Sequence, residues 1–168
     1  MKRLLYLVFV AIFSTGFLID PVGKDNSGKT EKRPGQYEEI LELVEKGNFI
    51  FRARRAFPQG GRSIELTGNR GFLEVSDSIA EAGLPFFGRA YHVRYPGYGG
   101  IKFSGEMENP GLSENTGKMR INYSFKVRDY DMYRVNMVIS YNGSTTLDIS
   151  SNHRSHISYY GNVIPADN

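Results

Sequence analysis

A period-two alternation of apolar and polar residues runs out, turns and runs back, and it limits this chain more than any other feature. Met119, Ile121, Tyr123, Phe125 and Val127 alternate with Arg120, Asn122, Ser124, Lys126 and Arg128. After a short turn at Asp129-Tyr130-Asp131 the pattern returns as Tyr133, Val135, Met137, Ile139 and Tyr141. Successive side chains on a strand point to opposite faces, so each segment has one apolar face and one wet face. That pattern belongs to an antiparallel sheet covered on one side. Asn142-Gly143 is a type I′ hairpin signal leading into Thr145, Leu147 and Ile149. Ser151-Asn152 then turns the chain into a last strand through Ile157 and Tyr159.

Shorter alternations precede this block: Phe49, Phe51 and Ala53; Ile64 and Leu66; Ile101 and Phe103. Together they give about eight or nine short strands joined mainly by tight turns, which suits a closed meander or a sandwich. The long strands between Lys118 and Ser150 favour closure, because a barrel leaves no exposed hydrogen-bonding edge. The expected fold is mainly β, an antiparallel up-and-down β-barrel with one N-terminal amphipathic helix. That helix is expected over Gln36–Lys46, where Tyr37, Ile40, Leu41 and Val44 fall at i, i+3, i+4 and i+7. Glu38 and Glu39 open it, Lys46 closes it and Gly47 suits its C-cap. Asp77–Gly83 reads as a short helical turn ended by Gly83.

The N-terminus bears on compartment. Lys2 and Arg3 precede an apolar run from Leu4 to Phe13, followed by Ser14, Thr15 and Gly16. This is the layout of a secretory signal, with cleavage expected near Gly16–Phe17 and no transmembrane anchor left afterwards. The interrupted apolar stretch is short for a span of about 20 residues. The organisation expected is a signal peptide over 1–16, a flexible polar tether over 17–35 and one barrel domain over 36–168, exported to the periplasm or beyond the cell. Removal of the signal leaves 19 basic residues against 18 acidic ones. With Arg52, Arg54 and Arg55 as the one dense basic cluster, the charge footprint does not suit a nucleic-acid binder.

Several motifs invite chemistry that their context does not support. Gly23–Thr30 fits the P-loop pattern, but a phosphate cradle needs an entering strand and a leaving helix, and Pro34 and Gly35 are expected to break the latter. His153 and His156 stand at i, i+3 on a presumed strand and so face opposite ways. The chain has no Cys and only His92 besides, so no metal or other cofactor is expected. Glu106 and Glu108 could mimic a glycosidase pair, but Pro110 and Gly111 make a solvated strand end the better reading. Asp129 and Asp131 suit a hairpin turn rather than a calcium loop. No Ser sits in a nucleophile-elbow pattern, and no catalytic residue is expected.

The most distinctive stretch is Leu84-Pro85-Phe86-Phe87-Gly88-Arg89-Ala90-Tyr91, followed by Tyr95, Tyr98 and Gly99-Gly100-Ile101-Lys102-Phe103. With Phe51–Pro58, Tyr141-Asn142-Gly143 and Ile157–Gly161, it resembles the signature of the domain-of-unknown-function 4251 family, exported proteins found mostly in Bacteroidetes. The resemblance spans roughly Tyr37–Val163 and implies a lipocalin-like barrel of the cell envelope or exterior, with no reaction and no catalytic residues to carry over. Read physically, Phe86, Phe87, Tyr91, Tyr95 and Tyr98 surround Arg89 and form the candidate ligand site, rings giving contact area and Arg89 an anion partner. The same residues also suit a barrel corner, with Gly88, Gly99 and Gly100 at tight bends. The leading expectation is a non-enzymatic module holding a small apolar or amphipathic ligand in or at the mouth of the barrel. A structural component meeting an envelope protein partner through exposed rings is the alternative. A hydrolase comes last, because it needs acids or a His–acid pair converging in a cleft.

Overall fold

Strand β1 (Asn48–Pro58) is where the sheet closes on itself, pairing with the last strand of the chain, β9 (Ile157–Pro165). The computed structural model describes residues 27–68, 71–92 and 99–166. The expected signal over 1–16, and Tyr95 and Tyr98, lie outside them. Between the closing strands run β2 (Ile64–Glu65), β3 (Phe72–Ser76), β4 (Ile79–Pro85), β5 (Gly100–Asn115), β6 (Arg120–Arg128), β7 (Met132–Ser140) and β8 (Ser144–Ser150). Each of β3 to β9 pairs antiparallel with its neighbour in sequence. The two-residue β2 continues the line of β3 along β1, so the ring is an eight-stranded up-and-down barrel, as the alternation implies.

The inward half of every alternation fills the barrel. Phe49, Phe51, Leu73, Leu84, Ile101, Ile121, Met137, Ile139, Leu147, Ile149, Ile157 and Tyr159 are each less than 2 % exposed. Burying a side chain of this size contributes about 1.5–3 kcal/mol, so this interior is the main source of stability. A ligand enclosed within the barrel would have to displace these side chains. The interior is filled because the inward positions carry Phe, Met, Leu and Ile rather than small residues.

Helix α1 (Ser27–Glu45) caps the end where β3, β5, β7 and β9 finish. Tyr37 and Val44 are buried and Ile40 and Leu41 pack against the core, the stripe read from the sequence. The Tyr37 hydroxyl donates to Glu114 Oε2 at 3.0 Å. Gly47, at φ 64°, ends the helix in the left-handed conformation that glycine adopts without strain. The helix begins ahead of Gln36 and carries Pro34 inside it, so residues 27–35 of the expected tether are helical and residues 17–26 lie outside the described residues. Of the P-loop match, Ser27–Thr30 therefore sit in α1, and Pro34 does not stop the helix as expected. What argues against a phosphate loop is the sheet, since every strand pairing among the described residues is antiparallel.

Three local readings are corrected. Asp77–Gly83 is not a helical turn: Ser76 pairs with Ile79 around a tight turn in which Asp77 takes φ 52°, and Ala80, Ala82 and Leu84 alternate inward along β4. Alanine here is a strand residue chosen for size, since the barrel wall needs small side chains opposite large ones. Strand β5 does not end at Pro110. It passes through a bulge between Glu108 and Gly111, with Asn109 at φ 51°, the kind of site where a strand tolerates proline. The hairpin at Asn142-Gly143 forms, but only Gly143 has positive φ, so its turn is not the type I′ expected.

Candidate functional site

Three connections at the end of the barrel opposite α1 frame the site: 86–92 after β4, 129–131 between β6 and β7, and 151–156 between β8 and β9. Buried Asp131 ties the last two together. Its Oδ1 accepts from the N–H of Met132 at 2.7 Å and of Asn152 at 3.1 Å, and its Oδ2 from the N–H of His153 at 3.0 Å. Burial works against a charged carboxylate, yet the Ser151 hydroxyl and the N–H groups of His153, Met132 and Asn152 outweigh it. Asp131 is held below the ordinary aspartate range.

The first connection is sewn to the third. Arg89 N–H donates to Ser155 Oγ at 3.0 Å, Ser155 N–H to the Arg89 carbonyl at 2.9 Å, and Tyr91 N–H to the His153 carbonyl at 2.8 Å. The hydroxyl of fully buried Tyr159 reaches up from the core and donates to the Pro85 carbonyl at 2.8 Å. Burial raises the pKa of that phenol despite Arg154 nearby, so it is a donor at any physiological pH. Gly88 has no room for a side chain between Ser155 Oγ and the Phe86 ring, which accounts for glycine at this bend.

This frame leaves a notch. The β5–β6 ladder starts only at Met107 and Val127, so among the described residues Gly100–Ser104 pair with β4 alone. In the notch lies an open cavity of about 530 Å³. Phe72, Phe103, Tyr130 and Tyr133 supply its aromatic walls, and Gly83 and Gly100 line it where the Phe72 ring and the Leu84 carbonyl leave no room for a side chain. His92, Lys102, Asp131, His153 and Arg154 bring polar groups to it. The His153 ring lies 5.4 Å from that of His92 and 5.6 Å from that of Tyr130. Burial, and then the charge of Asp131, raise the Tyr133 pKa, so this wall is a neutral phenol.

Of the six residues singled out from the sequence, the four that are described, Phe86, Phe87, Arg89 and Tyr91, border this region and are not among the cavity's lining residues. Phe86 is half-buried under the Arg154 guanidinium, 5.0 Å from the ring centre. Phe87 and Tyr91 are 44 % and 67 % exposed, and Arg89 is exposed, held through its backbone. Tyr95 and Tyr98 lie outside the described residues. The corner reading thus accounts for Phe86 and Gly88, and Phe87 and Tyr91 stand out as an exposed rim. The cavity did not show in the sequence as one site because its residues come from seven separate strands and connections, of which the distinctive stretch supplies only Gly100, Lys102, Phe103 and the adjoining His92.

Neither acid–His arrangement has relay geometry. His153 Nδ1 is 3.6 Å from Asp131 Oδ2, beyond a hydrogen bond, and that carboxylate is already committed to backbone donors. On the outer wall, His156 Nε2 is 3.2 Å from Ser158 Oγ and 3.5 Å from Asp148 Oδ1, while Ser158 donates directly to Asp148. A nucleophile relay needs the imidazole between Ser and acid through its two different nitrogens. Glu106 and Glu108 are exposed on β5, with Glu108 at 3.5 Å from Arg128. Among the described residues no three acid, His or Cys groups converge as metal ligands.

Comparison with known proteins follows the barrel. The family model described as a domain of unknown function (DUF4251) matches residues 31–163. A crystal structure of a DUF4251 family protein from Bacteroides eggerthii is similar at TM-score 0.61 and 18 % identity, covering 78 % of this chain and 88 % of that one. No curated protein matches.

Proposed function

The chain belongs to the DUF4251 family, and from that premise we propose that it is a non-enzymatic binding barrel taking a small apolar or amphipathic ligand in its mouth cavity. The observation carrying this reading is the contrast between a filled interior and one notch of about 530 Å³ walled by Phe103, Tyr130 and Tyr133. Sites for small molecules are concave, mostly apolar and of about 300–1,000 Å³, with a few polar groups that fix orientation. His153, Lys102 and Arg154 occupy that orienting position. The ligand sits against the mouth, with one end in water, rather than inside. Export through a signal over residues 1–16 to the periplasm or cell exterior belongs to the same proposal, supported by Lys2, Arg3 and the apolar run to Phe13.

The test is fluorescence titration of the full chain with dansylated undecanoic acid. Saturable enhancement of the dansyl emission is expected. Ser104→Trp, which pushes an indole into the notch from an exposed position, should weaken binding at least about tenfold, the equivalent of about 1.4 kcal/mol. Leu147→Ala, deep in the barrel, should cost stability and leave affinity unchanged. Saturable binding that Ser104→Trp does not affect would refute the mouth site.

A second reading, an interaction surface, is favoured by Phe87 and Tyr91, rings outside the lining of the mouth cavity that stand exposed on its rim.

A further inference from the structure

We infer that the mouth end of the barrel docks on an anionic lipid surface. The observation behind this is the exposed rim, whose rings, Tyr130 apart, are not among the residues lining the cavity. Phe57, Phe87, Tyr91 and Tyr130 are 41 %, 44 %, 67 % and 42 % exposed. Phe57 stands one residue from the end of β1, Phe87 and Tyr91 lie on the β4–β5 connection, and Tyr130 is on the β6–β7 turn. All four positions belong to the end opposite α1. Rings of this kind partition to the boundary between headgroups and acyl chains, Tyr with its hydroxyl toward water.

Charge is polarised along the same axis. Arg62 lies on the β1–β2 connection and Arg89 between the two exposed rings of the β4–β5 connection, both exposed. Of the acids at this end, Asp131 is buried among backbone donors, Glu65 pairs with Arg55, Glu108 with Arg128 and Asp148 with Ser158. That leaves Asp129 and the cavity-lining Glu81 exposed, while Lys102 and Arg154 add positive charge at the cavity. The helix end carries exposed Glu38, Glu39, Glu42, Glu45, Asp77 and Glu114 against Arg33, Lys46, Lys118 and Arg120, which leaves it with an acidic excess among the described residues. A negative surface attracts the rim and repels the helix, which orients the barrel mouth-down. A protein partner would want a contiguous face of about 800 Å². Here the rings stand on separate connections around a rim, as suits a fluid layer into which each ring inserts separately.

The chain has no Trp, so a single introduced indole reports on its own surroundings. Two full-chain variants are compared: Tyr91→Trp on the rim, and Ile79→Trp, 49 % exposed at the β3–β4 turn near α1. Each is mixed with vesicles of brominated phosphatidylglycerol or brominated phosphatidylcholine. The expected result is a blue shift and bromine quenching of the Tyr91→Trp indole on phosphatidylglycerol, reversed by about 0.5 M salt, which shortens the range of charge attraction to a few ångströms. Ile79→Trp should stay silent, and adding Arg89→Glu should weaken rim binding at least about fivefold. Absence of any response on phosphatidylglycerol, with photo-cross-linking at position 91 capturing a protein instead, would overturn the inference. Equal quenching on both lipids, or quenching of the Ile79→Trp indole, would overturn it too. The first would remove the dependence on lipid charge, and the second would assign the contact to the α1 end of the chain.

Discussion

At the scale of single residues, the mouth depends on Asp131. Its carboxylate gathers three backbone N–H groups from two connections that are remote in sequence. Asp131→Asn replaces one acceptor oxygen with an amide NH2 that faces donors, and leaving a buried N–H unmatched costs about 1–3 kcal/mol. We expect a loss of about 2 kcal/mol at neutral pH in urea unfolding, with the 86–92 and 151–156 segments loosening first. Because the folded-state pKa is lowered, the carboxylate's contribution is complete above the unfolded-state value near about 4 and disappears as pH falls through the lower folded-state value. The gap between wild type and Asp131→Asn should therefore narrow in acid; a gap that is constant with pH would contradict this role. The sequence showed Asp131 only as a turn residue, because its partners are backbone groups that no side-chain motif reveals. For the same reason the candidate site was legible only in part. The ring-rich stretch marked the right end of the barrel, while the cavity is assembled from Phe72, Phe103, Tyr133 and His153, whose approach depends on closure.

At the scale of elements, closure depends on the approach of β1 to β9. Ala53 pairs with Gly161, and a bulge follows at once before Arg55. A Cβ at Gly161 would collide with the Arg52 carbonyl oxygen and crowd the Phe51 ring, so the seam needs glycine for space rather than for turn geometry. Gly161→Ala should cost at least about 3 kcal/mol, comparable with the larger core defects. Hydrogen exchange should show lost protection at Phe51–Ala53 and Gly161–Val163 before any other strand pair; uniform loss would argue against a local seam. The strands from β6 to β8 were fully legible because each has one wet face, which makes the period visible. Strand β4 was not, because Ala-Glu-Ala-Gly carries helix-prone residues and its alternation of small inward alanines is weak in hydrophobic contrast. The start of α1 was misplaced because Pro34 was read as a stop, whereas the helix continues across it without the N–H that would bond back to residue 30.

At the scale of the whole molecule, the barrel has two unlike ends and a solid middle. One end is covered by a helix with an acidic outer face; the other carries a cavity, exposed rings and arginines. Barrels that carry ligands inside need small inward residues to make room, and this one places Phe49, Phe51, Met137 and Tyr159 there instead. The proposed ligand site therefore lies at the mouth, where the β5–β6 ladder is incomplete. The most direct test is a crystal structure of the chain grown with dansylated undecanoic acid. The account predicts the probe in the notch between Phe103, Tyr133 and His153, with the inward side chains unmoved. Probe found among Phe49, Met137 and Leu147, with those side chains displaced, would contradict it.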